Sequence, residues 1–302
     1  MKLRKFKGLK KFPAVHKPSL SRKGLFLGLF IALASFAAVV YLVPQALSRE
    51  TAALPAPSIS AAQAILLDAD TGRVLYEKNA EEKAYPASTT KILTALLTIE
   101  RVEELKSDLT QQVKIPPEAV GVEGSSIYLA AQEPVTIEDL LYGMMLRSGN
   151  DAATALAVII GGDQQHFIDE MNRRAQELGC TGSQFLNPSG LFDENHYTTV
   201  ADMGRIAQAA MKNKTFRRIA ATEEWNASRA PDKYNYFYNK NKVVHQYEGG
   251  NGIKIGYTKA SGRTLVASAR RDGRQLICVV MGAPDWFNDS YRLMDYGFSL
   301  KP

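Results

Sequence analysis

Residues 85–91 read Tyr85-Pro86-Ala87-Ser88-Thr89-Thr90-Lys91 and lead directly into a run of apolar residues at helical spacing. A proline just upstream of such a run marks a position where a helix can begin. The sequence therefore predicts a helix that starts near Ser88. Because Ser88 and Lys91 are three residues apart, we expect their side chains to lie on one face of it.

Ser88 and Lys91 have the chemical properties of a nucleophile and its base. A serine hydroxyl is a weak nucleophile at neutral pH and needs a neighbouring group to accept its proton. A lysine whose charged form is disfavoured by burial can be that group, and backbone N–H groups at a helix start can stabilise negative charge. Taken alone, the spacing is common, and a capped helix with an exposed lysine explains it equally well.

Two further motifs contain polar groups of the same kind. Ser148 and Asn150 form a Ser-x-Asn motif between two predicted helices, where a hydroxyl can relay a proton and a carboxamide can hold an amide substrate. A simple helix cap is the alternative there. Lys254 and Gly256 form a Lys-x-Gly motif just before a predicted hairpin, where a strand edge can pair with a peptide backbone and the lysine adds positive charge.

The order of the predicted elements indicates the fold class. Residues 64–76 predict one hairpin, residues 263–281 predict a second, and residues 290–296 predict a closing helix. Between the hairpins, a three-to-four-residue apolar repeat predicts four further helices, at 137–146, 152–160, 166–178 and 200–211. We therefore predict an α/β (α+β) fold in which both chain ends build one antiparallel sheet, helices flank it, and a helical lobe is inserted.

The first 58 residues differ in composition from the rest of the chain. Residues 1–23 hold nine Lys or Arg and no acid, residues 24–43 carry no charge, and residues 44–58 contain three prolines. An apolar helix of 20 residues spans about 30 Å, enough to cross a bilayer, and flanking basic residues keep that end cytoplasmic. We predict a basic cytoplasmic tail at 1–23, a transmembrane anchor at 24–43, a Pro-rich linker at 44–58 and an extracytoplasmic domain at 59–302.

The apolar segment 24–43 is also compatible with a cleaved signal peptide, which would make the protein secreted. Ala46-Leu47-Ser48 offers small residues at a spacing that a signal peptidase accepts. The apolar run is longer than the roughly 7–15 residues of a usual signal core, which favours a retained membrane anchor. The net charge of +6 comes from the tail and the remainder is mildly acidic, so nucleic acid is not a predicted partner.

The cysteines and histidines predict neither a disulfide framework nor a metal site. Cys180 and Cys278 are far apart in sequence, and we expect both to be buried free thiols. The four histidines have no metal-ligand spacing. No metal and no other cofactor is therefore predicted.

The Ser-x-x-Lys, Ser-x-Asn and Lys-x-Gly motifs, in this order, match the signature set of penicillin-recognising enzymes. The chain resembles the low-molecular-weight penicillin-binding proteins, which are D-alanyl-D-alanine carboxypeptidases, over roughly residues 60–298. The resemblance extends beyond the three motifs, to residues 64–78, 124–153, 187–191, 196–199 and 295–298.

The resemblance implies a β-lactamase/DD-peptidase-like fold and an acyl-enzyme mechanism on the stem peptides of peptidoglycan. Ser88 would attack the carbonyl between two D-alanines, Lys91 would accept its proton, and Ser148 would pass a proton to the departing D-alanine. β-Lactam antibiotics would acylate Ser88 as inhibitors. The backbone N–H groups of Ser88 and Tyr257 would bind the oxyanion. The implied substrate-binding residues are Asn150, Lys254, Gly256, Tyr257 and Thr258.

Two positions depart from the family pattern. Ile255 stands where the family normally has a threonine, whose hydroxyl helps to hold the terminal carboxylate of the substrate, and residues 283–288 lack an arginine often found there. Thr258 and Arg263 are candidate replacements. We expect weakened turnover of D-Ala-D-Ala with acylation retained.

Two alternative functions remain open from the sequence. One is a catalytically impaired wall protein that binds peptidoglycan without turnover, although the intact Ser88, Lys91, Ser148 and Asn150 argue against it. The other is a β-lactamase, but no segment resembles the glutamate-containing loop with which class A enzymes activate water.

Overall fold

The structure is a computed structural model that describes residues 55–301. The predicted tail, the apolar segment 24–43 and most of the linker lie outside the described residues, so their assignment stays a prediction. Within residues 55–301, no helix has the length and apolar character needed to span a bilayer.

A five-stranded antiparallel sheet with the order β2-β1-β9-β8-β7 lies at the centre of the domain. Its strands come from both ends of the described chain, as predicted: β1 Gln63–Asp68, β2 Val74–Lys78, β7 Gly250–Thr258, β8 Gly262–Arg271 and β9 Arg274–Met281. β1 and β9 join the two halves, with Leu66 opposite Cys278. β7 is an edge strand that pairs with β8 alone among the described strands, so its outer edge is available to a peptide.

Helices make up most of the chain between the two sets of strands. Eight α-helices are described: α1 Lys91–Glu104, α2 Ile137–Arg147, α3 Asn150–Gly161, α4 Gln164–Glu177, α5 Val200–Lys212, α6 Lys214–Ala221, α7 Val243–Gln246 and α8 Trp286–Ser299. The four helices predicted between the hairpins are confirmed as α2 to α5. Side chains cap several of them; for example, Thr136 accepts from the backbone N–H of Asp139 and Thr199 from that of Asp202.

Two small antiparallel pairs complete the secondary structure. They join β3 Gln112–Lys114 to β4 Pro134–Thr136, and β5 Glu224–Asn226 to β6 Tyr236–Tyr238. The second pair ends at Tyr238, just before residues 239–241, which lie near the candidate site.

Apolar side chains cover both faces of the central sheet because successive residues of a strand point to opposite sides. In β1, Ile65 and Leu67 join a large cluster with the helices α1 to α6, whereas Leu66 joins a second cluster with α8. Cys180 and Cys278 are buried free thiols, as predicted.

Helix α1 lies inside the larger cluster, with every residue from 91 to 99 buried. A helix that is covered on all sides belongs to the core of a domain, and each fully buried aliphatic side chain contributes about 1.5–3 kcal/mol. Lys91 at its first position is therefore held in a rigid and dry place.

Candidate active site

Ser88 lies in a short 3-10 helix, Ala87–Thr90, immediately before α1. The predicted helix start is thus displaced: a 3-10 turn carries the serine and the α-helix begins at Lys91. Ala87 has a φ of +49°, a left-handed conformation that costs energy for a residue with a Cβ. Two hydroxyls hold the turn by donating to the Pro86 carbonyl, Thr89 Oγ1 at 2.7 Å and Thr264 Oγ1 at 3.1 Å.

The Lys91 amine connects three parts of the site. Its Nζ lies 3.0 Å from Ser88 Oγ, 2.7 Å from Asn150 Oδ1 and 2.5 Å from the carbonyl oxygen of Ser189. Burial holds the pKa of Lys91 well below its ordinary value, and the charge of Lys254 lowers that pKa further. A neutral amine has two N–H groups for the two oxygens of Asn150 and Ser189, which can only accept, and this leaves its lone pair for the Ser88 hydroxyl.

Ser148 lies in the turn between α2 and α3, and Asn150 is the first residue of α3. Ser148 is buried and adopts a left-handed conformation with a φ of +66°. The Asn150 carboxamide is fixed at both ends, because its Oδ1 contacts Lys91 and its Nδ2 donates to the carbonyl oxygen of Glu123 at 2.6 Å. Next to it, the buried Asp151 carboxylate accepts from the backbone N–H groups of Ile127 at 3.0 Å and Leu129 at 3.1 Å.

Lys254 approaches Ser148 from β7. Its buried Nζ lies 3.1 Å from Ser148 Oγ and donates to the Ile255 carbonyl oxygen at 3.0 Å. Burial, together with the charge of Lys240, lowers the pKa of Lys254 from its ordinary value of 10.5 to about 7. The structure thus forms two linked pairs, Ser88 with Lys91 and Ser148 with Lys254.

Gly256 allows β7 to pass close to Ser88. A Cβ at this position would lie 2.8 Å from the backbone nitrogen of Ser88 and 2.5 Å from Thr264 Oγ1. Only glycine leaves that space free. The backbone of Tyr257, the next residue, is thereby held beside the Ser88 turn.

Four other residues singled out in the sequence have side chains that contact other parts of the domain or are exposed. The Thr258 hydroxyl donates to Ser261 Oγ at 2.8 Å and accepts from the Ser261 backbone at 3.0 Å, within the β7–β8 turn. Arg263 donates to the Pro284 carbonyl at 2.6 Å. Ile255 packs against the apolar cluster that contains α8. The Tyr257 side chain is 66% exposed.

Sequence reasoning gave no role to the Ser189 carbonyl, which contacts Lys91. It lies in a turn organised by Asn187, whose Oδ1 accepts from the backbone N–H groups of Ser189, Gly190 and Leu191. Asparagine, proline, serine and glycine in succession are a strong turn signal, so the turn itself was predictable. The contact of its Ser189 carbonyl with Lys91, 98 residues earlier, could not be predicted from the sequence.

His196 is a second residue that the sequence did not place near the site. Its Nδ1 accepts from the Leu186 backbone at 3.0 Å, so Nε2 carries the proton and donates to Thr90 Oγ1 at 2.9 Å. Burial lowers the pKa of His196 to about 4. The neutral ring therefore braces the turn between Ser88 and Lys91.

Gly190→Ala is expected to destabilise the domain and disturb Ser88. Gly190 has a φ of +83°, and a Cβ there would lie 1.8 Å from the Ala87 carbonyl oxygen. We expect a loss of about 3 kcal/mol or more in the free energy of unfolding, and about 100-fold slower acylation because the turn shifts. Denaturant unfolding and the rate of penicillin labelling measure the two effects.

Gly121→Ala is the matched control for that substitution. Gly121 also has a positive φ, +71°, but no atom lies within 4 Å of an added Cβ. The control should show only the backbone cost of about 1–2 kcal/mol and normal acylation. Equal effects of the two substitutions would contradict the importance of the contact with Ala87.

Lys254→Met is expected to change how stability depends on pH. The folded pKa of Lys254, about 7, is lower than the ordinary 10.5, so between these values the unfolded chain binds one proton more. The contribution of Lys254 to the unfolding free energy then rises with pH. Between these two pKa values, we expect the unfolding free energy of the wild type, relative to that of the variant, to rise by about 1.4 kcal/mol per pH unit. A difference that stays constant between neutral pH and pH 10 would contradict the buried, neutral lysine.

A family model described as D-alanyl-D-alanine carboxypeptidase matches residues 49–285 of the chain. Among curated proteins, D-alanyl-D-alanine carboxypeptidase DacB2 of Mycobacterium tuberculosis is 34% identical, over 82% of this chain and 86% of its own. DacF of Bacillus subtilis is 36% identical over 79% of this chain, which spans only 62% of the length of that relative.

A solved structure is similar over a comparable share of the chain. The Streptomyces K15 DD-transpeptidase superimposes with a TM-score of 0.76 and 31% identity, covering 82% of this chain and 100% of that chain. The predicted DD-peptidase-like fold is therefore confirmed. From the family match, the identities and the shared fold, the chain belongs to the D-alanyl-D-alanine carboxypeptidase family of serine-type peptidases.

Proposed function

We propose that the protein is a serine-type D-Ala-D-Ala carboxypeptidase that trims peptidoglycan stem peptides through an acyl-enzyme on Ser88. The observation that best supports this proposal is the buried Lys91 amine, 3.0 Å from Ser88 Oγ. Its other two partners are oxygens that can only accept hydrogen bonds. A neutral lysine in this arrangement is a base directed at one hydroxyl.

Acylation begins when Ser88 Oγ bonds to the carbonyl carbon between the two D-alanines. The serine proton moves to Lys91, and the carbonyl oxygen becomes an oxyanion. The backbone N–H groups of Ser88 and Tyr257 receive that charge, and one such donor is typically worth about 2.7–4 kcal/mol.

Release of the first product requires a proton on the leaving amine. The bond between the carbonyl carbon and the terminal D-alanine breaks as Ser148 Oγ–H supplies that proton. Lys254, whose Nζ lies 3.1 Å from Ser148 Oγ, replaces the proton or stabilises the resulting charge. Water then attacks the carbonyl carbon of the ester, and its proton passes to the Ser148–Lys254 pair, which had supplied the proton of the leaving amine. The bond between that carbon and Ser88 Oγ breaks, and Lys91 returns its proton to Ser88 Oγ.

The substrate backbone would lie along the free edge of β7. Residues near Gly256 offer peptide groups beside Ser88, and strand addition of this kind gives affinity through main-chain hydrogen bonds. Asn150, held by Lys91 and Glu123, would contact the substrate amide from the opposite side.

Covalent labelling and product release test this proposal together. We expect a fluorescent penicillin to label the wild type through Ser88, and a pentapeptide ending in D-Ala-D-Ala to yield free D-alanine. Labelling without D-alanine release would favour the catalytically impaired wall protein. Slow release of hydrolysed penicillin agrees with a carboxypeptidase, whereas fast turnover would identify a β-lactamase.

Ile255→Thr is expected to improve turnover of D-Ala-D-Ala peptides. An added hydroxyl can bind the terminal carboxylate, and a hydrogen bond to a charged group is worth about 1.5–3 kcal/mol, or roughly 10- to 150-fold in kcat/KM. Steady-state D-alanine release measures this gain, with Ile255→Val as the matched control. If carboxypeptidase activity and β-lactam acylation both stay unchanged, the interpretation of Ile255 is wrong.

We also propose that residues 24–43 anchor the enzyme in the cell membrane, with the catalytic domain outside the cytoplasm. The support is the charge-free apolar run preceded by nine basic residues. Membrane fractionation of a chain tagged at both ends tests it: one full-length membrane-bound species is expected, and a soluble species without the N-terminal tag would show cleavage.

A further inference from the structure

Four lysine and arginine side chains surround Ser148 without a carboxylate partner. Lys91 and Lys254 contact only neutral oxygens. Arg147 donates to the Tyr238 carbonyl at 3.2 Å, and its Nε is buried with no hydrogen-bond partner among the described residues. Lys240 is the fourth, and none of the four forms an ion pair within residues 55–301. Because burial disfavours the charged forms of Lys91 and Lys254, the positive charge on this side of the site is chiefly that of Arg147 and Lys240. Two cations that form no ion pair within residues 55–301 are suited to receive an anion.

The fold holds Lys240 beside the turn that carries Ser148. Its backbone N–H donates to the carbonyl oxygen of Leu146 at 3.2 Å, two residues before that serine. The flanking Asn239 and Asn241 are buried, and their side chains bond to the backbone, with Asn239 Nδ2 donating to the Thr222 carbonyl at 2.9 Å. Lys240 itself is exposed. The segment is therefore fixed by its asparagines, while the lysine is accessible to a ligand.

The charge of Lys240 reaches the catalytic lysines. It contributes to lowering the pKa of both Lys254 and Lys91. The carboxylate that acts on Lys91 is Asp151, and its oxygens already accept from Ser126 Oγ and backbone N–H groups. A substrate anion would thus find uncompensated positive charge at this side of the site.

We infer that Lys240, with Arg147 behind it, binds the terminal carboxylate of the substrate and replaces the contact that Ile255 cannot make. The inference rests on the proposed carboxypeptidase function, since it concerns the same site. Thr258 and Arg263, the candidates from the sequence, already bond to Ser261 and to the Pro284 carbonyl. A charge-assisted contact from the ammonium to the carboxylate selects peptides with a free C-terminus.

The test compares two acylating compounds that differ only in this anion, a penicillin and its methyl ester. With Lys240→Met, we expect the acylation rate constant for the penicillin to fall about 10- to 100-fold, with the ester unchanged. Lys240→Arg should keep most of the activity towards the penicillin. Lys242→Met is the matched control, because Lys242 is also exposed and contacts the Phe287 ring instead; both of its rates should equal wild type.

Two results would overturn the assignment of Lys240. Equal losses with penicillin and ester would show that the lysine acts on the catalytic groups or on folding, and no loss with either would show no role. Thermal unfolding of Lys240→Met identifies a folding defect independently. A wild type that shows no Ser88-dependent labelling would instead contradict the proposed function, so the two failures are distinguishable.

Discussion

Ser88→Ala is expected to abolish covalent labelling by penicillin and to lower D-alanine release by at least about a thousandfold. The substitution removes Ser88 Oγ, the atom that forms the acyl bond in the proposed mechanism, while the turn keeps its hydrogen bonds through Thr89, Thr264 and His196. Gel fluorescence after labelling and a coupled assay for D-alanine measure the two losses.

The control for this experiment is Ser107→Ala. Ser107 is an exposed serine whose hydroxyl contacts only Gln111. Labelling and D-alanine release should equal wild type in this variant. Substantial labelling of a correctly folded Ser88→Ala protein would show that another nucleophile forms the adduct.

Lys91→Met is expected to slow acylation by at least about a thousandfold, because Ser88 loses the proposed base that accepts its proton. Methionine fills the same narrow space with an unbranched chain and needs no hydrogen bond. Two oxygens, Asn150 Oδ1 and the Ser189 carbonyl, lose a donor, at about 1–3 kcal/mol each, while the penalty for a buried amine disappears. The domain should therefore remain folded, and time-resolved penicillin labelling measures the rate.

Lys212→Met separates this effect from a general change of charge. Lys212 is exposed at the end of α5, and its replacement should leave the acylation rate at the wild-type value. A Lys91→Met variant that acylates at a rate close to wild type would remove Lys91 from the role of base and leave Lys254 as the alternative.

Much of the fold follows from local patterns in the sequence. The two hairpins and helices α2 to α5 were predicted because each spans enough residues to show a strand or helix period. Helix α6 and the short strands β3 to β6 were not predicted; the strands span only three residues each, too few to show a period. The displaced helix start at Ser88 depends on the left-handed Ala87, a conformation that alanine disfavours and only tertiary contacts impose.

The candidate site, like the fold, could be predicted only in part from the sequence. The structure places Ser88, Lys91, Ser148, Asn150 and Lys254 of the three motifs together. The sequence indicated this grouping through its resemblance to a family in which the three motifs form one site. The Ser189 carbonyl, His196 and Lys240 lie in separate segments, and their approach to the motifs depends on tertiary packing. Thr258 and Arg263 were considered as carboxylate contacts, yet the β7–β8 turn and the Pro284 carbonyl engage them.

A titration of D-alanine release against Ser88-bound penicillin tests the central proposal most directly. Samples with increasing amounts of covalently bound penicillin, counted by intact-protein mass spectrometry and located by peptide mapping, are assayed with a pentapeptide ending in D-Ala-D-Ala. We expect D-alanine release to fall in proportion to the occupancy of Ser88 and to stop at one penicillin per chain. Release that persists when Ser88 is fully occupied, or an adduct on a different residue, would contradict an acyl-enzyme on Ser88.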